Sequence, residues 1–167
     1  MSIAPYKSIS TYRAYYVKVI IAGSRITLGS GCIVIGRDVR NSPGINLNCR
    51  NGGKIIFKKD ALIASGVSIN TDDCHTIYSV SDGRRLNPFG GVVFFDEHVW
   101  IGQQATIMGN SSIGKNTIIG AHSFVRGNEF PENVILAGTP ARVVSEGVNW
   151  DYRDIPPGTD MRKGIGP

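Results

Sequence analysis

The stretch VWIGQQATIMGNSSIGKNTIIGAHSFV, residues 99 to 125, decides the fold. Within it Ile101, Ile107, Ile113, Ile119 and Val125 fall on every sixth residue, and Ala105, Ser111, Thr117 and Ser123 lie four places after the first four. Six is a multiple of the strand period of two, so the aliphatic slot and the small slot share one face while the residues between them point away. A helix would want spacings of three and four. A strand pattern repeating at a short fixed period marks a chain that coils into a solenoid. Gly102, Gly114 and Gly120 each follow an aliphatic residue, where they are expected to supply permissive backbone beside the corners.

Upstream, Ile21, Ile33, Val39, Ile45, Phe57, Ile63 and Ile69 form a second ladder of the same period, with Thr27 and Asn51 as its polar rungs. From Ile69 to Ile101 is 32 residues, two more than five hexads, so the phase slips between about Asn70 and Gly91. The segment TDDCHTIYSVSDGRRLNPFGG, residues 71 to 91, is polar and turn-rich, and is read as an excursion from the coil. Long loops on rigid scaffolds carry function more often than the scaffold does.

The organisation expected around this is a single all-β domain. Residues 1 to 18, with Tyr6, Tyr12, Tyr15 and Tyr16, cap the first coil, because solenoid ends need covering. Residues 19 to 144 form the β-helix, with Gly23, Gly29, Gly31, Gly36 and Gly44 as corner candidates and Gly52-Gly53 as a tighter turn. Residues 145 to 167 make an irregular tail rich in Pro and Gly, either wrapped on the last coil or loose.

A chain of 167 residues with a hydrophobic fraction of 41% has enough apolar content for a core once coils stack. No apolar run has membrane-spanning length and the N-terminus lacks the order of a secretion signal, so a cytoplasmic protein that does not span a membrane is expected. Cys32, Cys49 and Cys74 are odd in number and widely spaced, which fits free thiols rather than a disulfide framework. The net charge of +5 comes from scattered Lys and Arg with no basic run, which argues against nucleic acid and suits a phosphorylated small ligand.

Residues 98 to 125, together with ILAGTPARVV at 135 to 144, resemble the hexapeptide-repeat acyltransferases, in particular the branch of maltose and galactoside acetyltransferases. The likeness covers roughly residues 20 to 144 and is most specific at Val99 to Gly102 and Ala137 to Ala141. It implies a left-handed parallel β-helix of triangular section, whereas general crossover rules would favour the right hand. It also implies acetyl-CoA as co-substrate, no permanently bound cofactor, and a homotrimer with active sites between subunits.

His75, in DDCHTI, matches the histidine that takes the proton from the acceptor hydroxyl as it attacks the thioester. An alcohol is hardly ionised at neutral pH, so a base poised near 7 accelerates the attack. Many relatives read His-Pro here, and this chain reads His-Thr. Trp100 matches the tryptophan that walls the acyl end of the substrate tunnel, and Gln103 the position whose backbone N–H meets the oxyanion. For CoA the resemblance implies Gly102, Gly120, Ala121, Gly138, Thr139, Pro140 and Arg142, with Lys115 and Arg126 as nearby cations for its phosphates. In the excursion, Arg84 and Arg85 are candidates for an acidic sugar or nucleotide-sugar diphosphate and Asn87 for sugar hydroxyls.

Other chemistries compete for the same residues. His98 is read as a coil-entrance residue without a chemical role, His122 has no settled direction, and three histidines at these spacings do not resemble a zinc site. Cys74 beside His75 suggests a covalent route, but neighbours on an extended chain face opposite sides, which favours direct transfer. Asp72 and Asp73 are candidates to orient the imidazole. HTIYSVSDGRRLNP also resembles acyltransferases of capsule, lipopolysaccharide or exopolysaccharide synthesis, so a surface-polysaccharide sugar is the expected acceptor. Amino-sugar N-acetyltransferases and serine acetyltransferases use the same scaffold, and a non-catalytic solenoid serving binding or assembly is the reading of another class.

Overall fold

The structure, a computed structural model, describes residues 25–28 and 30–163. The expected cap over residues 1 to 18, the rung at Ile21 and the corners at Gly23 and Gly29 lie outside the described residues, as does the side chain of Thr27. Every coil places one short strand on each of three parallel sheets. The first face stacks Arg25–Leu28, Asn46–Cys49, Ser68–Asn70, Thr106–Met108 and Phe124–Val125. The second stacks Cys32–Ile35, Lys54–Phe57, Val92–Phe95, Ser111–Ile113 and Glu129–Phe130. The third stacks Arg40–Asn41, Ala61–Ile63, Val99–Ile101, Ile118–Ile119 and Val134–Gly138, and Ala141–Glu146 adds a final antiparallel strand.

The core runs down the middle of this prism. Ile101, Ala105, Ile107, Ile113, Thr117, Ile119 and Val125 are fully enclosed, and Ser111 and Ser123 nearly so, as the shared face of the two slots requires. Each aliphatic side chain lies over its counterpart one coil away, in the order Leu47, Ile69, Ile107, Val125 on the first face. Phe57 and Phe95 stack at 4.5 Å between ring centroids on the second.

From Ile33 onward the upstream ladder keeps its parity but not its register, whereas Thr27 pairs with Asn48 and so falls off the inward row of Leu47 and Cys49. Leu47 to Ile55 is eight positions, Ile69 to Val93 twenty-four and Ile107 to Ser111 four, although the three pairs occupy equivalent places in successive coils. All the extra length falls on the edge between the first and second faces. Four added residues are an even number, so inside and outside alternate as before, and the sequence still reads as a hexad ladder. Asn51 is therefore not a rung; it sits in the widened corner with φ of 52°.

The corners are also built differently from the expectation. Gly102, Gly114 and Gly120 do not adopt positive φ. The left-handed residues are His98, Gln104, Asn110, Asn116 and His122, themselves six apart, at φ of 57° to 63°. Asn and His are among the residues that tolerate this region best. Gly102 serves a different need: a Cβ there would come within 2.6 Å of the Ala121 nitrogen, so the next coil can lie down only on a glycine.

The tail does not hang free. Past the hairpin formed by Val134–Gly138 and Ala141–Glu146, it turns back along the outside of the third face as far as Asp60 and Arg40. Among the described residues no helix is long and apolar enough to cross a membrane, and Met161–Lys163 form one turn of 3-10 helix.

Candidate functional site

The excursion leaves the coil at the widened edge, and its root is a polar knot. Asp72, 3% exposed, accepts the backbone N–H of Cys74 at 3.0 Å and the amide of Asn51 at 2.6 Å, with the Arg50 guanidinium 3.6 Å away. Burial pushes its carboxyl up, but these donors outweigh burial and hold it below the ordinary carboxylate range. Gly90 closes the root: its φ is 69°, and a Cβ would collide with the Asn51 carbonyl oxygen. Cys74 takes a φ of 70°, so the chain turns here instead of running extended, and Arg50 donates to the Cys74 thiol. An extended backbone therefore does not hold Cys74 and His75 apart, as their being neighbours led one to expect; the thiol is engaged by Arg50.

Beyond the knot, His75 is exposed. No carboxylate among the described residues bonds its imidazole, so the orienting role expected of Asp72 and Asp73 is not what they do. Asp72 holds the root, while Asp73 accepts from Asn87 at 3.1 Å and from Arg126 at 3.3 Å. The loop is also braced from within. Asn87 is 8% exposed, takes the Ile77 N–H on its amide oxygen at 2.9 Å, and donates to the His75 carbonyl at 2.7 Å. Arg85 donates to the Asn87 carbonyl, the Thr76 hydroxyl and the Pro88 carbonyl, with its guanidinium over the Phe89 ring.

These contacts give three of the candidates a structural part. Asn87 has its amide oxygen and nitrogen turned into the loop. Arg85 gives three of its five N–H donors to the loop's own backbone and Thr76, which makes it a brace of the loop. Arg126, expected near CoA phosphates, ties the excursion to a later coil. Arg84, paired with Asp82 at 3.7 Å, remains a largely exposed cation.

The remaining candidates gather elsewhere. Trp100 lies on the third face, 38% exposed, in register with Leu62 and Ile118. Gln103 and Ala121 are exposed residues at the edge between the third and first faces, where Gly102 and Gly120 also sit. The Gln103 carbonyl accepts the His122 N–H at 2.9 Å, while its own N–H meets no acceptor among the described residues. Gly138, Thr139 and Pro140 form the exposed turn of the final hairpin, and Arg142 follows, exposed, donating to the Ala141 carbonyl. Lys115 is shared with Glu97 at 3.6 Å, at the edge between the second and third faces.

In a triangular section the third face is opposite the edge between the other two. His75 and Trp100 thus stand on opposite sides of the coil.

The other histidines have structural duties. His122 is an exposed left-handed corner. His98 is another corner, and it clasps the tail. Its Nδ1 lies 2.6 Å from Asp60 and its Nε2 lies 3.0 Å from the Trp150 carbonyl, while the Trp150 indole donates to the His98 carbonyl at 2.9 Å. Both ring nitrogens face acceptors, so the two contacts are hydrogen bonds together only when the ring carries both protons. The Trp150 ring stacks on the imidazole at 4.2 Å, and Tyr152 donates to the other Asp60 oxygen at 2.6 Å beneath the Arg40 guanidinium. Burial and the Asp60 carboxylate push the Tyr152 phenol well above its ordinary value. Nothing in the sequence marks this clasp except the aromatic pair Trp150 and Tyr152 in an otherwise Pro- and Gly-rich tail.

Comparison with known proteins agrees with this geometry. The family described as "Bacterial transferase hexapeptide (six repeats)" matches residues 96–127. The chain is 45% identical to the galactoside O-acetyltransferase of Escherichia coli (strain K12) over 101 residues, covering 60% of this chain and 48% of that protein. It is 37% identical to the polysialic acid O-acetyltransferase of Neisseria meningitidis over 98 residues, covering 59% of this chain and 45% of that protein. It thus spans about half the length of these relatives. The crystal structure of the polysialic acid O-acetyltransferase OatWY superposes with a TM-score of 0.67 at 26% identity, covering 85% of this chain and 82% of that one. A core built on the six-residue step and coiled over three faces is thus a left-handed parallel β-helix, and residues 96–127 carry the repeat described for the bacterial hexapeptide transferases.

Proposed function

We propose that the protein transfers an acetyl group from acetyl-CoA to a hydroxyl of a sugar destined for a surface polysaccharide. The observation that carries this reading is the presentation of His75: an exposed imidazole on a loop anchored to the coil at Asp72 on one side and at Gly91, which accepts the Lys54 N–H, on the other. The acceptor oxygen attacks the thioester carbonyl carbon while the imidazole takes its proton. The resulting oxyanion needs a fixed donor, and the unengaged N–H of Gln103 is a suitable one. Collapse breaks the carbon–sulfur bond, and the imidazolium returns its proton to the departing CoA thiolate. Trp100 walls the acyl end, with Gly102, Gly120 and Ala121 beside the pantetheine arm and Gly138 to Pro140, Arg142 and Lys115 toward the nucleotide. Arg84, largely exposed and paired with Asp82 at 3.7 Å, is the excursion's cation for an acidic or phosphorylated acceptor.

The two half-sites on opposite sides of the coil support a homotrimer in which His75 of one subunit meets Trp100 of the next. A cyclic arrangement brings unlike sides together, and three is the number of copies that the family resemblance implies. The names of the relatives support a glycan hydroxyl as acceptor.

The test is thiol release from acetyl-CoA with a panel of polysialic acid, galactosides, nucleotide sugars, an amino sugar and serine. Turnover with a hydroxyl sugar is expected, and His75→Ala is expected to lower it by about a hundred- to ten-thousand-fold. Turnover only with the amino sugar or serine would reassign the acceptor. A His75→Ala enzyme as fast as the parent would remove the base.

A further inference from the structure

The geometry points to Asn87 as the positioning residue of the reaction: through the His75 carbonyl it fixes where the imidazole stands, and Asp73 and Arg126 transmit that position from the coil. This rests on the reading of His75 given above.

The imidazole has no side-chain partner among the described residues, so its location is inherited from its backbone. That backbone is held on two sides. The His75 N–H donates to the Asp73 carbonyl at 2.8 Å, and the His75 carbonyl accepts the Asn87 amide at 2.7 Å. Asn87 also takes the Ile77 N–H and donates to the Asp73 carboxylate, so one primary amide joins both arms of the loop at the level of His75. The Asp73 carboxylate in turn accepts from Arg126, which follows the strand Phe124–Val125 two coils further on.

Asn87 is the most enclosed residue between Asp73 and Gly90, in a loop whose Val80 is 98% exposed. A side chain meant for a sugar would be open, with donors unspent; this one is closed, and its polar atoms are already used. No other residue type supplies one acceptor and two donors at this length. An aspartate keeps only the acceptor and sets a second carboxylate against Asp73.

The experiment compares the parent enzyme with Asn87→Ala, Asn87→Asp and His75→Ala, using acetyl-CoA and the best acceptor of the panel. Misplacement of a catalytic group by about 1 Å costs on the order of a hundredfold. Both Asn87 variants are therefore expected to lose roughly ten- to a hundredfold in kcat, with KM for acetyl-CoA and acceptor within about threefold of the parent. The thermal midpoint of the coil should stay in place, because the hydrogen-bond partners of Asn87 all lie in the excursion. Amide exchange should become faster at Ile77 and remain slow at Val93.

If His75→Ala is inactive and Asn87→Ala keeps its kcat, or only raises the acceptor KM, the inference falls and Asn87 returns to the acceptor pocket. If Asn87→Ala melts the coil, its role is general stability and the inference falls as well. If His75→Ala stays active, the reading of His75 has failed first, whatever Asn87 does.

Discussion

Single positions in this coil are constrained by two requirements that look alike in the sequence. Gln104, at φ of 57°, needs a residue that tolerates the left-handed region, whereas Gly102 needs one without a side chain because the next coil is in the way. Gln104→Gly is expected to leave the unfolding midpoint unchanged or raise it slightly. Gln104→Val should cost about 1–2 kcal/mol, since a β-branched residue fits that region worst. Gly102→Ala should cost about 1–3 kcal/mol through forced separation of coils, although its φ is ordinary. Chemical denaturation of the three variants distinguishes the two requirements. The buried slots were legible because burial repeats with the strand period. The corners were not, because His98, Gln104, Asn110, Asn116 and His122 share no residue type, and only their six-step spacing gives them away. The role of Asn87 was equally out of reach, since its partners His75 and Ile77 are set by a loop closure that no local pattern encodes.

At the level of elements, the excursion and the tail are each fixed to the coil by a buried or half-buried carboxylate. For the tail this is Asp60, where burial pushes the carboxyl up but the hydrogen bonds from Tyr152 and His98 outweigh it, leaving it below its ordinary 3.8. A carboxyl depressed in the docked state contributes its full stabilisation above the free value, and that contribution drains as pH falls through the docked one. The part of tail docking that Asp60 contributes should therefore be fully present above about pH 4 and weaken below it. The charged and titratable groups that set this response are Asp60, His98, Tyr152 and Arg40. Trp150 fluorescence and protease sensitivity around residue 150 report it, and Tyr152→Phe should increase tail opening roughly tenfold at neutral pH by removing a bond to a charged acceptor. The existence of the excursion was readable from a phase count, because twenty added residues are not a whole number of hexads. The tail's path was not, because its anchors at His98 and Asp60 lie 52 and 92 residues from their partners.

For the whole molecule, the property to test is whether His75 and Trp100, set on opposite sides of the coil, work together only across two subunits. If each site is completed by a neighbour, an equal mixture of inactive His75→Ala and Trp100→Ala subunits should regain activity after subunit exchange. Random assembly of a cyclic trimer gives about a quarter of the sites both intact partners. Activity that stays at the level of the separate variants would place both residues' work within single subunits. The edge between the first and second faces has consequences beyond this test. Four residues suffice there in the regular coil, eight in an earlier one and twenty-four where the excursion leaves, while the other two edges keep one length throughout. A rod that admits insertions along a single seam can exchange one acceptor grip for another without disturbing its spine. Grafting a relative's loop between Asn70 and Val92 is the natural way to retarget it.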